Sequence, residues 1–234
     1  MRRLLAPLLL CQLLAVAACG DNEDTTGGDA GSETATTAST PTETTAADEE
    51  GCEKAAKPKP KSVSYKKPTV SADRTKSLTA VLDTSCGTIE IALDSKRAPK
   101  TVASFAFLAK KGFYDGLSFH RIVPGFVVQG GDPKGNGSGG PGYSVVEAPP
   151  EDLKYTRGVV AMAKTELEKP GTSGSQFFIV TAPDAGLPPD YALVGEVSKG
   201  DDVLEKLATV PADPADGTPE SPVLMKKVTI NEEG

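Results

Sequence analysis

The chain has 234 residues, with 25 Lys or Arg against 32 Asp or Glu and a formal charge of −7. That length allows one or two domains, and the acidic balance argues against any role that follows a nucleic-acid phosphate backbone. Composition is uneven along the chain, which argues for a single folded domain preceded by other segments.

Arg2 and Arg3 precede an apolar run, 4–18, interrupted by Pro7 and Gln12. Fifteen residues are too few for a helix across a bilayer, which needs about 20. A charged start, a short apolar run and small residues before a cut site read as an export signal over 1–18. The stretch Leu14-Ala15-Val16-Ala17-Ala18-Cys19 resembles a bacterial lipobox, in which the Cys is acylated and becomes the first residue. An ordinary secretory cut near Ala18 is the alternative, and it would leave a soluble protein. The lipobox reading is preferred because Cys19 stands where the motif needs it and a long polar segment follows. The expected location is then extracytoplasmic, anchored to the cell membrane.

Residues 20–51 have no aromatic and no Lys or Arg, and carry nine Asp or Glu. Residues 54–76 reverse the sign, with eight Lys or Arg among prolines. Neither has an apolar period, so 19–76 reads as a disordered linker whose basic part is a solvated spacer. With Cys11 in the signal and Cys19 acylated, Cys52 and Cys86 remain as an even pair outside the cytoplasm. A disulfide between them is expected; two free thiols are the alternative.

The remaining residues, 77–234, contain 15 basic and 21 acidic side chains and enough apolar residues for one core. The segments 78–83 and 88–93, either side of Thr84-Ser85-Cys86-Gly87, read as a β-hairpin. Pro99 opens a helix with Val102, Phe105, Ala106 and Ala109 on one face, ended by Lys110, Lys111 and Gly112. Short strand-like runs follow at 117–123, 126–129, 158–163, 176–181 and 191–197. A second helix carries Val203, Leu204, Leu207 and Ala208, and an alternating run, 223–230, could close a sheet. About eight strands and two short helices predict a mainly β domain, a barrel capped by helices.

Several motifs fail on inspection. Gly135-Asn136-Gly137-Ser138-Gly139-Gly140 matches a dinucleotide fingerprint, but Pro141-Gly142 follows where a helix should start, so it reads as a flexible turn. Gly171-Thr172-Ser173-Gly174-Ser175 lacks the last Gly of a nucleophile elbow. His120 is the only histidine; it lies in an apolar strand run, where a hydrogen-bonded core role is expected. One His and no spaced Cys cluster exclude a zinc site. No metal and no cofactor are expected.

One reaction needs neither nucleophile nor metal: rotation about an Xaa-Pro bond, whose barrier of about 20 kcal/mol comes from amide resonance. It needs a fixed cationic donor near the proline nitrogen and a rigid apolar pocket for the ring. Here the chain, from about Leu78 to Ile230, resembles the cyclophilin family of peptidyl-prolyl cis/trans isomerases. The resemblance rests on Phe113 to Ile122 (FYDGLSFHRI), Pro124 to Asp132 (PGFVVQGGD) and Gly174 to Ile179 (GSQFFI).

The resemblance implies a closed eight-stranded antiparallel β-barrel capped by two α-helices, with 77–234 as the isomerase domain. It implies Arg121 as the catalytic arginine, Phe126 and Phe178 as aromatic walls of the proline pocket, and Val127 and Leu187 as its completion. Gln129 would hold the arginine and the substrate carbonyl, Gln176 would line the groove, Ala163 would offer a backbone strip to the peptide, and Tyr191 would reach the substrate carbonyl. Plain core packing rivals these roles for Val127 and Leu187, and barrel packing for Tyr191. Proline-containing segments of exported proteins would be the partners, and a monomer is expected. Two positions depart from the family: Gly186 stands where Trp or Phe is common, and the loop from Lys164 to Gly171 is about three residues longer. A catalytically weak proline-binding or chaperone-like module is therefore the alternative to an active enzyme.

Overall fold

The computed structural model describes residues 51–233. Cys19 and the expected signal peptide lie outside them. Eight strands close into an antiparallel barrel in the order β1 (Ser77–Thr84), β10 (Val223–Glu233), β3 (Leu117–Val123), β4 (Val127–Gly130), β8 (Phe177–Val180), β6 (Val159–Met162), β9 (Leu193–Lys199) and β2 (Gly87–Leu93), which returns to β1. Two short strands that sequence periodicity does not reveal, β5 (Val145–Val146) and β7 (Thr172–Ser173), pair separately. Two residues carry no readable alternation.

Period-two alternation decides which residues fill the barrel. Ala80, Leu82, Ile89, Ile91, Phe119, Val128, Val160, Phe177 and Ile179 point inward and are buried. Helix α1 (Pro99–Lys110) contributes Val102, Phe105 and Leu108 to this interior, and α2 (Asp201–Ala208) contributes Val203, Leu204 and Leu207. Full burial of each such side chain is worth about 1.5–3 kcal/mol, so these two layers supply most of the drive for closure. The ring of Phe177 meets Phe105 and Tyr114 edge to face at 5.5 and 5.7 Å. The buried Tyr114 hydroxyl donates to the Ser175 carbonyl at 3.2 Å, so no polar atom of that cluster is stranded.

Helix α1 begins at Pro99 without a side-chain cap of its own. Its first amides are met from a distance: the Glu147 carboxylate accepts from Lys100 N at 3.1 Å and Thr101 N at 2.7 Å. The negative charge also suits the positive end of the helix dipole.

The expectation of an unstructured linker over 19–76 does not hold for 51–76. That segment lies along the barrel as a strap. Glu53 N donates to Ser85 O, Lys61 N to Pro133 O, Tyr65 N to Pro141 O and Ala72 N to Pro99 O, at 2.7–2.9 Å. Cys52 and Cys86 form a disulfide. Val63, Tyr65 and Ala72 pack against the core, and the Tyr65 ring meets Phe113 at 5.8 Å and Phe107 at 6.2 Å. Composition misled because three anchors among lysines and prolines make no periodic pattern. They need only a finished surface to dock on, which local sequence does not display.

Candidate active site

The site lies on the outer face of β3, β4, β8 and β6. How Arg121 comes to face outward is a question of register. Leu117 and Phe119 point into the barrel, so strict alternation would turn Arg121 inward as well. Strand β3 avoids this with a bulge: Phe119 pairs with Gly130 and Arg121 with Gln129, leaving His120 as the extra residue. The frame shifts by one, Ile122 becomes the next inward residue, and Arg121 emerges half-exposed.

From Arg121 the row of paired residues continues across the sheet. Gln129 pairs with Phe178, and Phe178 with Ala161. Val127 and Val180 lie two residues along on the same face, paired with each other. Around them a second apolar cluster, separate from the barrel interior, gathers Val127, Tyr155, Ala161, Phe178 and Leu193, with Phe126, Ala163, Leu187 and Tyr191 at its margin. The guanidinium of Arg121 has no hydrogen-bond or ion-pair partner among the described residues. Its stem packs beside Gly217, whose positive φ of 78° and close approach to Ile122 O suit a residue without Cβ.

Beyond Gln129 the groove becomes polar. Gln129 Nε2 donates to Gln176 Oε1 at 3.1 Å, and Gln176 Nε2 donates to the Gly137 and Gly139 carbonyls, both at 2.9 Å. Ala163 N donates to Gln176 O at 2.9 Å, fixing the strip along which a peptide could lie. These residues line a cavity of about 370 Å³ shared with Lys164, Thr165 and Glu168 of the longer loop.

Of the expected residues, Gln129, Ala163 and Gln176 line the cavity, Val127 and Phe178 belong to the apolar cluster with Phe126, Ala163, Leu187 and Tyr191 at its margin, and Arg121 pairs with Gln129 in the sheet. Gly186 leaves a gap beside Leu187: a Cβ built on it would meet nothing within 4 Å. On that side the aromatic surface is Tyr191, whose ring meets Phe178 at 5.4 Å, edge to face. Tyr191 is fixed from behind, because Tyr155 Oη accepts from Tyr191 N at 2.9 Å and donates to Tyr191 O at 2.7 Å. Burial pushes the Tyr155 phenol up to about 12, so it stays protonated and able to donate. Lys164 completes the arrangement, with its ammonium 2.6 Å from Asp190 and 5.5 Å from the Tyr191 ring centroid.

Three residues escaped sequence reasoning. Asp132 is buried and its carboxylate accepts from Lys134 N, Asn136 N and Gly137 N at 2.7, 2.9 and 2.6 Å. The Gly-rich stretch is thus a held loop rather than a flexible turn; an Asp ahead of Pro and Gly was the available signal. Tyr155 and Glu147 had no signal, since each acts on residues far along the chain. His120 also departs from expectation: neither ring nitrogen has a partner among the described residues. Burial holds its pKa below the usual histidine value, Arg121 adding to that effect and Asp132 opposing it. No group of three potential metal ligands occurs among the described residues.

What these residues offer chemically is a planar cation with no polar partner among the described residues, near an apolar wall, with two amides to set the register of a bound chain. Nothing in it can serve as an activated nucleophile.

Residues 79–230 match the family described as cyclophilin type peptidyl-prolyl cis-trans isomerase/CLD. Peptidyl-prolyl cis-trans isomerase B of Streptomyces anulatus is 39% identical over 171 residues, covering 65% of this chain and 96% of that protein. The probable peptidyl-prolyl cis-trans isomerase A of Mycobacterium bovis is 38% identical, covering 65% and 92%. Among solved structures, a cyclophilin type isomerase of Cryptosporidium parvum superposes with a TM-score of 0.62 at 31% identity, covering 66% of this chain and 99% of that one. The chain belongs to the cyclophilin family and is a peptidyl-prolyl cis-trans isomerase.

Proposed function

We propose that the isomerase works through Arg121 and acts on proline-containing segments of exported proteins at the outer face of the membrane. The observation that carries the catalytic part is the cross-strand row Arg121–Gln129–Phe178, set outward by the bulge at His120. As the Xaa-Pro amide twists, its nitrogen regains a lone pair, and the guanidinium donates to it. The ring rests on Phe126, Val127, Phe178 and Leu187. Gln129 and Gln176 hold the chain before the proline, so the donor binds the twisted form better than either planar one. The Cryptosporidium parvum relative was solved in the presence of the dipeptide Ala-Pro, which supports a proline ligand here.

The location rests on two features. Cys19 stands in a lipobox-like stretch, and the Cys52–Cys86 disulfide suits an oxidising compartment. No helix of the described residues is long and apolar enough to cross a membrane, so lipid on Cys19 would be the anchor. Metabolic labelling with radioactive palmitate, followed by fractionation, tests this. Wild type takes up label and sediments with membranes, and Cys19→Ala does neither. A wild type that is unlabelled and soluble overturns the anchored reading.

A further inference from the structure

The strap lies outside residues 79–230, the part shared with the family, yet it reaches the groove. Lys61 N and Tyr65 N donate to Pro133 O and Pro141 O, one contact at each end of the Gly-rich loop 133–141. Between them Ser64 lies so near Gly142 that a Cβ there would sit 2.6 Å from Ser64 Oγ and 3.1 Å from Ser64 Cα. The side chains pin this contact from both sides. Lys61 Nζ donates to Asp115 O at 3.0 Å, and the Tyr65 ring is held edge-on by Phe107 and Phe113. The loop so clamped supplies the two carbonyls, of Gly137 and Gly139, that accept both protons of the Gln176 amide. With its amide nitrogen committed, Gln176 can present only Oε1 to Gln129, and it accepts from Gln129 Nε2. Asp132 holds the loop from inside. From outside, the strap holds it at its two ends.

We propose that strap residues 61–65 are a positioning element of the isomerase site. They clamp the loop 133–141 so that its carbonyls fix the orientation of the Gln176 amide and, through it, Gln129. Their influence falls on how the peptide before the proline is seated, because the loop's hydrogen bonds into the site go to Gln176. The proposal rests on the reading of Gln129 and Gln176 as groove residues.

Two full-chain variants release the strap: Tyr65→Ala, which keeps the disulfide, and Tyr65→Ala combined with Cys52→Ser and Cys86→Ser. Exchange of the Lys61 and Tyr65 amides reports release. NMR exchange kinetics on an Xaa-Pro tetrapeptide give KM and kcat separately. Losing one seated amide contact should raise KM about fivefold to tenfold, with kcat nearly unchanged and the Gln176 side-chain NH₂ resonances shifted. Val210→Ala, which removes buried volume from the barrel-interior cluster rather than the groove-side one, should lower stability without moving KM. In a Gln176→Leu background the strap variants should cost nothing further, since the link they act through is gone. Wild-type KM with both strap variants overturns the proposal, as does a KM rise that persists undiminished in the Gln176→Leu background. If Gln176→Leu itself has wild-type kinetics, it is the assignment of the amides to the groove that fails.

Discussion

Replacing Arg121 by Ala separates catalysis from folding more cleanly than any other change in this chain. The side chain is half-exposed and without a polar partner among the described residues, so its truncation removes only stem contacts beside Gly217. Substitutions of that kind stay within about 0.5 kcal/mol of wild type. The catalytic loss should be far larger. A hydrogen bond from a charged donor contributes about 1.5–3 kcal/mol, and removal of a preorganised donor to developing charge costs about 10²–10³ in rate. The expected result is a fall of about a hundredfold or more in kcat/KM, with thermal unfolding unchanged. Arg121→Lys should lie between, because an ammonium keeps the charge but loses the planar fork. The assay is a protease-coupled or NMR-exchange measurement on an Xaa-Pro tetrapeptide, run beside calorimetry on the same samples. If Arg121→Ala keeps more than a third of wild-type kcat/KM with the same melting temperature, the donor mechanism is refuted.

Three further outcomes follow from the geometry. Cys52→Ser with Cys86→Ser opens a cross-link of sequence separation 34, which should lower unfolding free energy by about 4 kcal/mol on loop-closure grounds; chemical denaturation with equal m-values checks it. Tyr155→Phe strands the Tyr191 backbone N–H and C=O and should destabilise by about 1–3 kcal/mol, with a rise in KM from the loosened Tyr191. His120 has a folded pKa depressed by burial, so the unfolded chain binds its proton first. The stability tied to the neutral imidazole is full above the unfolded value, about 6.5, and is lost as pH falls from there towards the folded pKa. His120→Leu should therefore flatten the dependence of the urea midpoint between pH 7.5 and 5.5; an unchanged slope would remove His120 as its source.

How far the sequence carried these conclusions depends on the distance over which each residue acts. Alternation in 88–93 and the helix opened by Pro99 are local, and β2 and α1 form where they were expected. Arg121, Gln129 and Phe178 were legible through three matched blocks rather than through periodicity. Periodicity alone would have sent Arg121 inward, since the bulge that reverses it is visible only in the pairing of β3 with β4. The strap was misread for a related reason. Val63, Tyr65 and Ala72 are sparse among charged and proline residues, and the surface they dock on is assembled from distant segments, from Pro99 beside Ala72 to Pro141 beside Tyr65. Glu147 at the start of α1 belongs with it, since it meets the Lys100 and Thr101 amides, set beside it only once the chain has folded; Asp132 meets amides only two to five residues on, and its turn was open to a local reading.

The barrel order also constrains when this protein can exist as a folded object. Strand β10 is the seam, zipping β1 on one edge and β3 on the other. Until Val223–Glu233 is available, two long edges stand bare, and bare edges invite pairing with other chains. A polypeptide passing end-first through a translocation channel would keep such a barrel open until its last strand had cleared. Closure then depends on contacts of very high sequence separation, which are slow to form. An isomerase built this way completes its own barrel only with its last strand.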